Sequence, residues 1–227
     1  MKLLVLFIAN FYFTPKYDAF FGDDYALALV QVEKDATLIA QVSTQYGIDP
    51  LTVKSIVFPE YIRNNAVGAL MEEAALDLVY VDMGADAVDF SIGTFQVKPS
   101  FAHNMENLIE GNEYLAKKYK NLVLVTVTDE KKQRSLRISR LKSTEWQTRY
   151  VCAFIDYCEQ YYGLDSLPAD EKIRFLATAY NAGLKQKKQE VELNYGLRVF
   201  PYGSKFKVEQ VSYWGVSVDY YLKHKEI

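Results

Sequence analysis

The chain has 227 residues, 50% of them apolar and 24% charged, with a formal net charge of −3. That length buries one substantial core or two small ones, and the composition excludes disordered and fibrous classes. So small a net charge argues against a nucleic-acid surface, and having only two cysteines excludes a disulfide-dense scaffold or a cysteine-rich zinc site.

Lys2 followed by the apolar run Leu3 to Phe13 has the charge and length of a secretory signal and is too short for a conventional membrane-spanning helix. Export to the periplasm or cell envelope is the leading reading of residues 1–22, which would bring the chain close to a membrane. No small-x-small cleavage site follows the run, so a retained anchor or an N-terminal core segment stays open. Residues 23–227 read as one domain.

Asp23 or Asp24 is expected to cap a first long helix that stops near Gly47. Asp49-Pro50 opens a second in the usual cap-then-proline order. A third pattern runs from about Ala66 to Met83, with Leu70, Ala74, Leu76 and Val79 toward a core, and ends at Gly84. The glycine-punctuated stretch Ala85 to Gln96 reads as a loop or extended segment, and Pro99 starts the next helix. Asn121 to Val127 is β-branched and ambiguous between a short strand and its helical surroundings. Helices follow at Glu130 to Leu141, at Thr144 to Tyr162 and from Pro168 to Ala182, where Gly183 suits a left-handed C-terminal cap. The tail from Gln210 to His224 is helical in pattern. The fold class is therefore mainly α, with room for one short β segment. Cys152 and Cys158, about 9 Å apart along one helix, are beyond disulfide reach and read as buried thiols.

One residue departs from this ordinary pattern. Helical spacing lines Val53, Ile56, Val57 and Glu60 along one stripe, so a carboxyl lies on an apolar face. A carboxyl taken out of water holds its proton toward neutral pH, as a general acid must in order to protonate a poor leaving group. Pro59 bears on this placement, because a bend there would swing Glu60 off the stripe. Taken singly, the residues downstream have ordinary explanations: Tyr180 as a packed aromatic, Asn181 as a helix-end residue, Gly183 as a cap and Gln96 as a turn amide.

Together, the order of a helix-borne glutamate (Glu60), a Gly-x-x-Gln turn (Gly93-Thr94-Phe95-Gln96) and Ala179-Tyr180-Asn181-Ala182-Gly183 resembles the soluble lytic transglycosylase family of the lysozyme-like superfamily. The resemblance covers roughly residues 48–183. Gly93 to Gln96 is a looser form of that family's Gly-Leu-Met-Gln, Tyr61 stands where the family usually has serine, and the interval from Glu60 to Gly93 is longer by an inserted helix.

The resemblance implies a lysozyme-like helical fold and peptidoglycan glycan strands as the partner, with Glu60 as acid and then base in cleaving the bond between N-acetylmuramic acid and N-acetylglucosamine to leave a 1,6-anhydro sugar. Tyr180 would bring its hydroxyl to Glu60. Gly93, Phe95, Gln96, Asn181 and Tyr61 would line the substrate site, Gly93 by letting backbone approach the glycan.

Two alternatives remain. A hydrolytic muramidase would use an added carboxylate about 6.5–9.5 Å from Glu60 as its base. Among Asp77, Asp82, Asp86 and Asp89, the last, directly before Phe90-Ser91-Ile92-Gly93, is the candidate. An inactive glycan-binding module is the other. No cofactor or metal is expected, because His103 and His224 form no ligand-spaced pair with each other or with a cysteine.

Overall fold

The computed structural model describes residues 16–66, 73–124, 127–184, 187–201 and 210–225. Its helices are α1 (Tyr17–Phe21), α2 (Asp23–Gln45), α3 (Pro50–Ala66), α4 (Glu73–Met83), α5 (Pro99–Glu110), α6 (Glu113–Lys118), α7 (Glu130–Leu141), α8 (Thr144–Tyr162), α9 (Ala169–Ala182), α10 (Lys188–Leu193) and α11 (Tyr213–His224). The fold is mainly α. Among the described residues no strand forms, and antiparallel pairing is confined to two isolated bridges, Ile92 with Val97 and Phe200 with Val211. The described part of Asn121 to Val127 is irregular, and Leu122 and Leu124 are buried there: core packing uses the apolar run without pairing its backbone.

α3 is the central element. Asp49 accepts hydrogen bonds from the N–H groups of Leu51 and Thr52 at 3.0 and 3.1 Å, with Pro50 at the first helical position. Val53, Ile56, Val57, Phe58, Tyr61 and Ile62 are all fully buried, because α2, α8, α9 and α11 pack around this helix on several sides. Helix α3 runs through Pro59, which lacks the N–H that would bond the Ser55 carbonyl.

Several starts and stops differ from expectation. α2 begins after Gly22, whose φ is +54°, and Asp23 and Asp24 occupy the first turn, where a negative charge complements the helix dipole. Gly183 closes α9 at φ +90° and ψ 168°, a positive φ outside the left-handed helical region. Among the described side chains of α4, Tyr80 is buried while Leu78 and Val79 are 70% and 39% exposed, and the helix packs mainly against α7. The Leu70, Ala74 and Leu76 positions lie outside the described side chains.

The folded domain also begins earlier than residue 23. Tyr17 and Phe21 of α1 are buried, Tyr17 against Gly215 of α11 and Phe21 edge-on to Phe200 at 5.8 Å. Residues 1–15, which hold the apolar run read as a signal or anchor, lie outside the described residues. No helix among the described residues is long and apolar enough to cross a membrane.

The outer helices α4, α5, α7 and α8 are joined by a buried polar network. Arg137 on α7 donates to Glu106 on α5 and, at 2.9 Å, to the Tyr80 hydroxyl on α4, while Tyr150 on α8 donates to Glu106 at 2.7 Å. Glu106 and Arg137 are each 3% exposed, so neither charge could stay buried without the other. Cys152 and Cys158 are free, buried thiols whose ionisation burial opposes, as their helix spacing requires.

The segment from Ile92 to Val97 folds into a tight turn in which each end residue's N–H donates to the other's carbonyl, at 3.0 and 3.1 Å. Gly93 sits at φ +68°, and a Cβ there would fall 2.6 Å from the Leu141 carbonyl oxygen and closer still to Gln147 Nε2. Gly93→Ala should therefore lower stability by roughly 2–4 kcal/mol, from left-handed strain and overpacking together. Urea unfolding of the two chains checks this, and a loss below about 1 kcal/mol would mean that the turn yields easily.

Candidate active site

Glu60 lies nearly two turns before the end of α3 and is 3% exposed. Pro59 does not carry it out of the core. Burial pushes its carboxyl up from the ordinary 4.5 to about 7, against the opposing pull of the Arg63 guanidinium and a hydrogen bond from Tyr213. Arg63, one turn on, places Nη1 3.0 Å from Oε2. This is an ion pair without hydrogen-bond alignment, and Oε2 is buried with no hydrogen-bond partner among the described residues.

The carboxyl opens into a cavity of about 300 Å³. Glu60 and Arg63 form one wall, and Tyr180, Asn181 and Gly183 at the end of α9 form another. The third is the loop before α5, with Asp89, Ser91, Gln96 and Lys98. Asn181 and Ala182 are shared with a second cavity of about 290 Å³, lined also by Tyr213, Trp214 and Leu197, so hollows lie on both sides of the α9 end.

Four of the expected site residues besides Glu60 therefore meet in one cavity: Tyr180, Asn181, Gln96 and Asp89. Tyr180, however, donates its hydroxyl to the Phe95 carbonyl at 2.9 Å and not to Glu60. It carries the wall that the turn provides, while the hydroxyl that acts on Glu60 is that of Tyr213 on α11, whose proton goes to the Ile56 carbonyl at 3.0 Å. Tyr213 is buried and Tyr180 partly buried, and withdrawal from water raises the pKa of both, so they serve as donors. Gln96 adopts φ +51° and bonds back to the Gly93 carbonyl through Nε2 at 2.9 Å.

Tyr61, Phe95 and Gly93 are not at the cavity. Tyr61 is fully buried and donates to Asp35 on α2 at 2.7 Å, because it follows Glu60 onto the opposite side of α3. Phe95 is fully buried against Tyr61 and contributes only its backbone. Gly93 is covered by Gln147 and the end of α7, so its lack of a side chain serves packing and not substrate approach. Asp89 does line the cavity, yet its oxygens accept from the Ser100 N–H at 3.1 Å and the Ser100 hydroxyl at 2.8 Å, beside Lys98 at 3.6 Å. That is the work of a carboxylate at a helix start. Asp77 and Asp82 pair with Lys142 and Lys131, and with Asp86 they are absent from the cavity lining.

Sequence reasoning missed Arg63, Asn64 and Gln147, and gave Tyr213 no role at the acid. Asn64 donates to the Thr94 carbonyl at 2.8 Å, tying the glutamine turn to α3 one turn after Glu60. Gln147 accepts from the Phe95 N–H at 2.7 Å and donates to the Ile92 and Leu141 carbonyls. Arg63 and Asn64, three and four residues after Glu60, were accessible from helical spacing. Gln147 and Tyr213 are distant in sequence and carry no local signal.

Among the described residues no group of three or more His, Cys, Asp or Glu could hold a metal ion. Comparison of the chain with models of known protein families, with curated proteins and with solved structures finds no match. The chemistry is accordingly read from the geometry: one buried acid with an accessible proton, amides beside it, and no second carboxylate placed free of other bonds.

A proton held to about 7 in the folded chain and to about 4.5 in the unfolded one lowers stability as pH rises through that window. The unfolded chain releases its proton first, so the native state loses ground from about pH 4.5 upward and the loss levels off above 7. Glu60→Gln should then be more stable than the parent at pH 8, by about 1–3 kcal/mol, with the gap closing toward pH 4. Denaturant unfolding at both pH values measures it, and a pH-independent gap would rule out a raised acid.

Proposed function

We propose that the chain is a peptidoglycan lytic transglycosylase with a lysozyme-like helical domain. The observation that carries this reading is the buried Glu60 carboxyl, facing a cavity and holding its proton to about neutral pH. On this reading Glu60 protonates the glycosidic oxygen between N-acetylmuramic acid and N-acetylglucosamine, and the carboxylate so formed takes the proton from the C6 hydroxyl of the muramyl sugar as that oxygen closes on the anomeric carbon. One carboxyl serves both steps, and no water is consumed. Tyr213 orients the acid, and Asn181 and Gln96 offer amide donors and acceptors to sugar groups.

The bonds made by Asp89 favour this over hydrolysis: an inverting base needs a carboxylate free to activate water, and both Asp89 oxygens are engaged by Ser100. An exported enzyme fits a cell-wall substrate, and the N-terminal run Leu3 to Phe13 is the feature that supports export.

Digestion of purified peptidoglycan, with products weighed by mass spectrometry before and after borohydride reduction, tests the proposal. Non-reducible 1,6-anhydromuramyl products are expected, with activity falling above pH about 7 as Glu60 ionises and lost at least about a hundredfold in Glu60→Gln. Reducing ends would make the chain a muramidase, and glycan binding without cleavage a binding module.

A further inference from the structure

Tyr213, the first residue of α11, acts on Glu60, and α1 braces it by two routes. The first is the helix start. Tyr17 is 3% exposed, and its hydroxyl meets Ser212, the residue before Tyr213, across the bare face of Gly215. A Cβ at position 215 would lie 2.6 Å from Ser212 Oγ and closer still to the Tyr17 hydroxyl, so the hydroxyl fills the space that a side chain would take. The second route is a row of rings. Phe21 is edge-on to Phe200 at 5.8 Å, and Phe200 is edge-on to Tyr213 at 5.4 Å. Phe200 is fully buried and exchanges backbone hydrogen bonds with Val211, at 3.0 and 2.9 Å, just before α11 begins. The middle ring is therefore tied to the start of α11 through both backbone and side chain.

We propose that Tyr17 and Phe21 are positioning residues for the acid: they hold the Tyr213 hydroxyl against Glu60, so that α1 supports the active site although it lines neither cavity. The inference deepens the acid–base reading of Glu60 and rests on it. The titratable and charged groups that face Glu60 are Arg63 on its own helix, Tyr213 on α11 and Tyr180 on α9, with Asp89 and Lys98 elsewhere in the cavity lining. Of these, Arg63 and Tyr213 favour the charged form, and α1 reaches Tyr213 twice. A Tyr213 hydroxyl allowed to drift stops favouring that form, and Glu60 then holds its proton to higher pH. α1 begins four positions after Phe13, where the apolar run read as a signal ends. Signal cleavage beyond Tyr17 would remove the support, so an exported chain keeps its N-terminus upstream of that residue.

Urea unfolding locates the Glu60 midpoint without any substrate. For each chain, the stability gap to its Glu60→Gln counterpart is followed from about pH 4 to about 9, and the pH at which the gap stops growing marks the midpoint. Tyr213→Phe should move the midpoint upward by about one pH unit, and Phe21→Leu and Tyr17→Phe should each move it by part of that. In a Tyr213→Phe background the α1 substitutions should add nothing, because the group they position is gone. Phe175→Leu, at a fully buried position of α9, should lower stability and leave the midpoint where it is. Should Phe21→Leu fail to fold, Tyr17→Phe, which removes a single oxygen, carries the test.

An unmoved midpoint in folded α1 variants would overturn the inference. An equal rise in the Tyr213→Phe background, or the same rise from Phe175→Leu, would also overturn it, by making α1 an ordinary part of the core. On peptidoglycan, the alkaline limb of activity should move upward with the midpoint in the α1 variants. Shifted midpoints with no cleavage by the parent chain would overturn the glycan-cleaving reading and leave α1 as the support of a buried acid. Cleavage with unmoved midpoints would overturn the inference alone.

Discussion

The chain surrounds one carboxyl with helices and leaves one side of it open. Glu60 is on the most enclosed helix of the fold, between α9 and α11, where water cannot stabilise its charge. Everything close to it moderates that cost. The Tyr213 hydroxyl and the Arg63 guanidinium both pull its proton affinity down, and the carboxyl faces the cavity. Without Arg63 and Tyr213 the proton would be held more tightly still. Without burial the proton would be lost before neutral pH.

The wall opposite Glu60 is built by a second set of contacts. The turn at Ile92 to Val97 has little regular structure of its own, and is fixed by α3 through Asn64, by α9 through Tyr180 and by α8 through Gln147. The buried Glu106–Arg137 pair, with Tyr80 and Tyr150, then binds the outer helices to the same frame. An ion pair of this kind fixes geometry more than it adds stability, since the two desolvation costs offset much of the attraction.

Helix positions were legible because apolar period, Asp49-Pro50 and Pro99 are local signals, and the elements at Glu130 to Leu141 and Thr144 to Tyr162 begin and end where their pattern does. The placement of Glu60 was legible for the same reason. Tyr61, Phe95 and Gly93 were misassigned because adjacency in sequence says little about side: a residue next to the acid on a helix points about 100° away from it. The roles of Tyr180 and Tyr213 were exchanged because two tyrosines from different helices approach one carboxyl, and only packing decides which hydroxyl arrives. α1 escaped notice since its two aromatics matter through α11 and Phe200, far along the chain.

Gly93 and Gln147 share one space. No side chain fits at position 93 while the Gln147 amide occupies that space, and the Leu141 carbonyl, 2.6 Å from a Cβ there, would also have to move. Shortening the glutamine would leave the Phe95 N–H and two backbone carbonyls without their partner, and position 93 would still require a positive φ. The two residues, fifty-four positions apart, therefore constrain each other, and a change at either one alone costs stability.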